Sequence, residues 1–142
     1  MRCRERAAMV LVAASAVASC GRSARSEAVA LTNAVDRSRK AGAATRSVEV
    51  KKVEDFPCTA EDVCAAKLSC AEALERTAQA LDIKDKVAAR LGDIEAKRLA
   101  PDDPEAEALP DQLDMATRLL GQGRVKMSIC DARLAELTVK YH

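Results

Sequence analysis

Apolar residues recur at alternating spacings of three and four along residues 111–141: Leu113, Ala116, Leu120, Gly123, Met127, Cys130, Leu134, Leu137 and Tyr141. That pattern is an a/d heptad stripe, the seam of one helix packed on another. Gly121 and Gly123 interrupt it, and they either kink the helix or let another backbone approach closely. Upstream, residues 58–100 read as one long helix or two consecutive ones. Val63, Cys70, Leu74, Ala78 and Leu81 share one helical face, and Val87, Leu91 and Ile94 continue it with a phase shift. The shift predicts a kink between Leu81 and Asp85, and Gly92 costs the helix about 1 kcal/mol relative to Ala. Between the two segments, residues 101–110 hold three of the four prolines, which predicts a turn. Asp103 before Pro104 is a cap-then-first-position pair for a short helix. Two helical segments joined by such a turn make an antiparallel hairpin.

The pattern is weaker before residue 58. Residues 21–57 are polar and small. Ala28, Leu31, Ala34 and Val35 fit one short amphipathic helix, but the segment offers little to bury and reads as a flexible tether. Val48 and Val50 alternate with charged residues over too short a run for a strand. At the start, MRCRER carries three arginines against one glutamate, and residues 7–18 form an apolar run of twelve with one serine. A bilayer-spanning helix needs roughly 20 apolar residues, so this is an export signal rather than a permanent span.

Val17-Ala18-Ser19-Cys20 resembles the lipobox of bacterial lipoproteins: an aliphatic residue, two small residues, then cysteine. In that family the cysteine sulfur receives a diacylglyceryl group, and the bond before it is cut. The resemblance implies a signal peptide over 1–19, lipidation at Cys20, a tether over 20–57 and a helical domain over 58–142. The membrane is then a partner through the N-terminal lipid. Two or three acyl chains hold where one is marginal. In enteric-type sorting an aspartate after the cysteine resembles an inner-membrane retention signal. Gly21 stands there instead, which favours the outer membrane, facing the periplasm.

Six cysteines are present. Cys3 leaves with the signal and Cys20 is blocked by lipid, so Cys58, Cys64, Cys70 and Cys130 remain in an oxidising compartment and predict two disulfides. The competing metal site built from all four of them wants paired C-x2–4-C, whereas the first three are spaced by six. Helix geometry separates the pairings. With Thr59 as cap and a helix from Ala60, Cys64 and Cys70 lie about 9 Å apart along the axis and about 120° around it. A disulfide tolerates about 7 Å between Cα atoms. Cys58 with Cys70 spans roughly 15 Å, so Cys58–Cys64 and Cys70–Cys130 survive. The midpoint of Cys70 and Cys130 lies beside the proline turn, although Cys64 with Cys130 is nearly as well placed.

Composition narrows the function. Lys plus Arg is 23 and Asp plus Glu is 22, so a nucleic-acid partner has no electrostatic basis. The aromatics are one Phe and one Tyr, too few for base or sugar platforms. The one histidine, His142, excludes a multi-His metal site. No phosphate loop or nucleophile elbow appears. Gly121-Gln122-Gly123-Arg124 lacks a preceding strand, and the acids from Asp102 to Asp111 lack EF-hand spacing. Small helical lipoproteins of the murein type also join a lipobox to heptads. Lys140 is followed by Tyr141 and His142, however, and the prolines and extra cysteines break a continuous coil, so no peptidoglycan linkage is implied. The expectation is an all-α protein: a disulfide-stapled antiparallel helical hairpin or small bundle after a flexible tether. It has no cofactor, metal or catalytic residues, and it serves a structural or protein-interaction role with an envelope partner. The alternatives are a periplasmic small-ligand carrier with a pocket between helices, and a periplasmic enzyme.

Overall fold

The computed structural model describes residues 23–141. Every regular element among them is helical: α1 over 23–40, α2 (Arg46–Glu54), α3 (Glu61–Glu95), α4 (Pro104–Glu107) and α5 (Leu109–Tyr141). α3 has 35 residues, about 50 Å of helix, and α5 nearly matches it. The two run antiparallel as a hairpin: Asp62 meets Lys140, Glu72 meets Lys126, and Cys70 is bonded to Cys130. A second bond joins Cys58 to Cys64. These are the pairings that helix geometry leaves open.

Small side chains let the long helices come close. Ala66, Cys70, Ala73 and Ala80 are buried on α3, and Ala116, Gly123 and Cys130 are buried on α5. The Cα atoms of Cys70 and Cys130 are 4.7 Å apart. A Cβ on Gly123 would stand 2.6 Å from Thr77 Oγ1 and 3.3 Å from the Thr77 nitrogen. Gly123 is therefore the point of close backbone approach, while Gly121 faces open space. The rest of the heptad stripe points inward except Leu113, which is exposed near the loose end of the hairpin.

The segment expected to be a tether is folded over its described part, 23–57. α1 and α2 lie against the half of the hairpin nearest the chain ends. Ala28, Leu31, Ala34 and Val35 of α1 and Val50 and Val53 of α2 join Val63, Leu74, Leu134 and Leu137 in one core. Their small size hides them in the sequence, but Leu31, Val35 and Val53 are wholly buried because the surfaces they meet are also built of small groups. The lipid-site residues 20–22 lie outside the described residues, as does the signal peptide. No described helix is long and apolar enough to cross a membrane.

Three boundaries differ from the sequence reading. α3 runs unbroken through Leu81–Asp85. Arg46 of α2 reaches Asp82 and Asp85, acids one turn apart on the same face, and bridges that turn. The helix ends at Glu95 with Ala96 as its cap; Lys97 then takes a left-handed φ of 56° and Arg98 N–H donates to the Asp93 carbonyl, a Schellman stop with lysine in the usual glycine place. At its start Thr59 is not the cap: α3 begins at Glu61, and the Thr59 hydroxyl points to Glu27. At the turn, Asp103 accepts from the Glu105 N–H and starts α4 as expected, whereas Pro110 sits in the first turn of α5, where a missing N–H costs nothing.

Two stability tests follow from the seam. Cys70–Cys130 closes a separation of 60 residues and Cys58–Cys64 one of 6. Replacing Cys70 and Cys130 by Ala should lower unfolding free energy by about 2–5 kcal/mol, and replacing Cys58 and Cys64 by clearly less, measured by urea denaturation. In the same assay Gly121→Ala should stabilise by about 0.5–1 kcal/mol through helix propensity. Gly123→Leu should destabilise by about 1–3 kcal/mol through overpacking.

Candidate functional site

One interlocked cluster of polar side chains lies at the end of the hairpin that holds the last residues of α5. The start of α1, the start of α3 and the end of α5 meet there, beside the Cys58–Cys64 bond. Glu27 of α1 takes the role that Thr59 does not. Its carboxylate accepts from the Thr59 N–H at 2.9 Å, the Ala60 N–H at 3.1 Å and the Thr59 hydroxyl. α3 has no side-chain cap of its own, and a carboxylate from another helix takes the N–H of its N-cap residue, Ala60, and that of Thr59 before it. The Thr59 hydroxyl first, then the two N–H groups, hold the Glu27 carboxyl below its ordinary value. Next to it, Asp62 accepts from the Lys140 ammonium at 2.6 Å, from the Tyr141 hydroxyl at 2.9 Å and from the Val63 N–H at 2.9 Å. Lys140, then Tyr141 and the Val63 N–H, lower the Asp62 carboxyl against the opposing effect of its partial burial.

A cleft of about 150 Å³ opens between α1 and α5 at this end, lined by Ala28, Val29, Thr32, Leu137, Thr138 and Tyr141, with Arg25 and Asn33 of α1 also on its wall. Its hydroxyls are already used. Thr32 donates to the Ala28 carbonyl, Thr138 to the Leu134 carbonyl and Tyr141 to Asp62. No nucleophile beside a base and no converging acid pair lines it. The cleft is apolar in character and smaller than the roughly 300–1,000 Å³ of ordinary ligand pockets. Higher up, a second cleft of about 130 Å³ lies between α1, α2 and the hairpin, edged by Ser38, Arg39, Arg46 and Met127. Its cations are paired, Arg46 with Asp82 and Asp85 and Arg39 with Asp131.

The residues singled out from sequence fall into two groups. Cys58, Cys64, Cys70 and Cys130 are bonded in pairs, which removes them as thiolate ligands or nucleophiles. Among the described residues no cluster of His, Cys, Asp and Glu has a metal-holding arrangement. Cys20 lies outside the described residues. Glu27, Arg39 and Arg46 escape sequence reading because their partners lie 32 to 92 residues away. The acidic and basic i, i+3 pairs nearby carry no sign of that distant pairing. No protein-family profile, no curated protein and no solved structure matches the chain.

Glu27 and Asp62 give a pH test. Both bind protons less tightly when folded than at their ordinary values of 4.5 and 3.8. Their contribution is therefore complete above about pH 4.5 and is lost as pH falls through the lowered folded values. Glu27→Gln should cost about 0.5–1 kcal/mol at pH 7, the lower part of the capping range, since solvent screens the site. With Asp62→Asn added, the decline in stability from pH 5 to pH 3 should flatten, as read by denaturant titration at each pH.

Proposed function

We propose that this chain is a lipid-anchored protein of the bacterial envelope, held at the membrane through Cys20 and facing the periplasm from the outer membrane. Its role is structural or protein-interacting rather than enzymatic. The lipobox resemblance supports the anchor. Gly21 and Arg22 alone separate Cys20 from the described part of α1, so an acyl chain on Cys20 holds a folded domain close to the bilayer. The two disulfides suit an oxidising compartment.

The observation that carries the interaction role is the apolar surface left on the long helices. Leu68 of α3 and Val125, Ile129 and Val139 of α5 are exposed, although each is large enough to fill a core position. Val125, Ile129 and Val139 share one face of α5, and an exposed apolar stripe of this kind marks a surface that meets another macromolecule. A carrier role has one observation in its favour, the α1–α5 cleft, whose 150 Å³ suits only a molecule smaller than most ligands.

Intact mass of the protein extracted from membranes tests the anchor. A diacylglyceryl adduct is expected on Cys20, and Cys20→Ser should shift the protein to the soluble fraction without it. A wild-type chain that is soluble and carries no lipid removes this reading.

A further inference from the structure

α5 carries a second heptad stripe, on the side opposite its seam. Met115, Arg118, Gln122, Val125, Ile129, Ala132, Glu136 and Val139 follow one another at spacings of three and four. From Arg118 onward each lies two residues after a residue of the seam with α3, about 200° around the helix. All of them are exposed: Met115 is 49 %, Val125 65 %, Ile129 48 % and Val139 82 % accessible. A surface helix ordinarily puts charges there.

We infer that this outer stripe of α5 binds the same stripe of a second copy of this chain, antiparallel, about a two-fold axis near residue 127. The argument is self-complementarity. In an antiparallel pair the residue numbers run in opposite directions, so residues equally far before and after the axis face each other. Val125 then meets Ile129 of the second copy, and Met115 meets Val139 of the second copy. Arg118 meets Glu136 of the second copy, and Gln122 meets Ala132. Every apolar residue finds an apolar or small one, or the amide of Gln122, and the one cation of the stripe finds its one anion. The two-fold axis repeats each contact, giving four facing pairs on either side of the centre. Among the described residues the charges of α5 that form ion pairs are Lys126, Asp131 and Lys140, and Arg118 and Glu136 are not among them.

The pattern also discriminates against other arrangements. A parallel pair in register sets Arg118 against Arg118 and Glu136 against Glu136, which repel. Shifting the antiparallel register by one heptad sets Arg118 against Ile129 and leaves its charge unpaired. The contact runs from residue 115 to 139, about 36 Å of helix. It leaves α1, on the other side of the seam, uncovered. It also places the two α1 starts at opposite ends of the pair, so two anchors in one membrane lay the helices along its surface. The inference rests on the interaction reading above, but not on the lipid.

The test is the mass of the full-length oxidised protein by sedimentation or light scattering, with detergent subtracted where it is present. A dimer is expected for the wild type. Arg118→Glu should weaken it at least about tenfold, since both symmetry-related pairs become repulsive. Arg118→Glu combined with Glu136→Arg should restore it, because the pairs are rebuilt with exchanged signs. Gln122→Leu, which widens the apolar centre, should tighten it. These positions are exposed, and circular dichroism checks that each variant keeps its helices. A wild type that stays monomeric to about 100 μM overturns the inference. So does a dimer indifferent to Arg118→Glu, or a double exchange that remains weak. A monomer that still crosslinks to a different envelope protein overturns the inference while leaving the interaction role standing.

Discussion

The close contact between α3 and α5 is the constraint from which the remaining architecture follows. Two helices of more than thirty residues meet along alanine, cysteine and glycine, with the Cα atoms of Cys70 and Cys130 only 4.7 Å apart. Small residues bring backbones into van der Waals contact but bury little area per residue. A seam of this kind is precise in register and modest in hydrophobic stabilisation. The bond between Cys70 and Cys130 compensates by removing conformations from the unfolded chain, and it lies about two helical turns from the close approach at Gly123. The largest fully buried side chains include no aromatic residue, and most are valines. Covalent closure thus stands in for the large core that a chain of this composition lacks.

α1 and α2 complete one half of the hairpin and leave the other bare. Their apolar residues cap the seam between Val63 and Leu137, and their polar residues tie the helices at fixed points. Glu27 closes the start of α3, Arg39 binds Asp131 of α5, and Arg46 spans Asp82 and Asp85 of α3. Exposed ion pairs contribute little each. Arg46 is the exception in setting, since it is itself buried while its acids remain half exposed. These contacts choose one docking of α1 and α2 among several that small apolar faces permit.

The division of labour has a functional side. The end nearest the proposed anchor holds the Glu27 contact at the start of α3, the short disulfide and the Asp62–Lys140–Tyr141 cluster, all satisfied internally. The outer face of α5 holds apolar side chains and charges that are not. Polar groups spent on each other stabilise an end, whereas the apolar groups left in water are the surface on which the proposed interaction rests.

Much of this was legible in the sequence. The heptad stripe of 111–141, the proline turn and the cap at Asp103 each rest on local rules, since helix period, missing N–H groups and capping act within a few residues. The disulfide pairing followed because a rigid helix fixes distances between its own cysteines. The likeness of the four residues ending at Cys20 to a lipobox is local in the same way. What the sequence concealed was decided by contacts between distant segments. Residues 23–57 look like a tether because alanines and valines appear too small to build a core. They form one because the hairpin they meet is equally small-sided and already closed. The helix continues through Leu81–Asp85, where a kink was expected, and there Arg46, 36 residues upstream of Asp82, is brought alongside by α2. Gly123 could signal either a kink or a close approach, and only the position of Thr77 on the facing helix chose between them. Periodicity determines which face of a helix is apolar; which neighbour covers that face, and which face is left uncovered, is settled only when the helices pack.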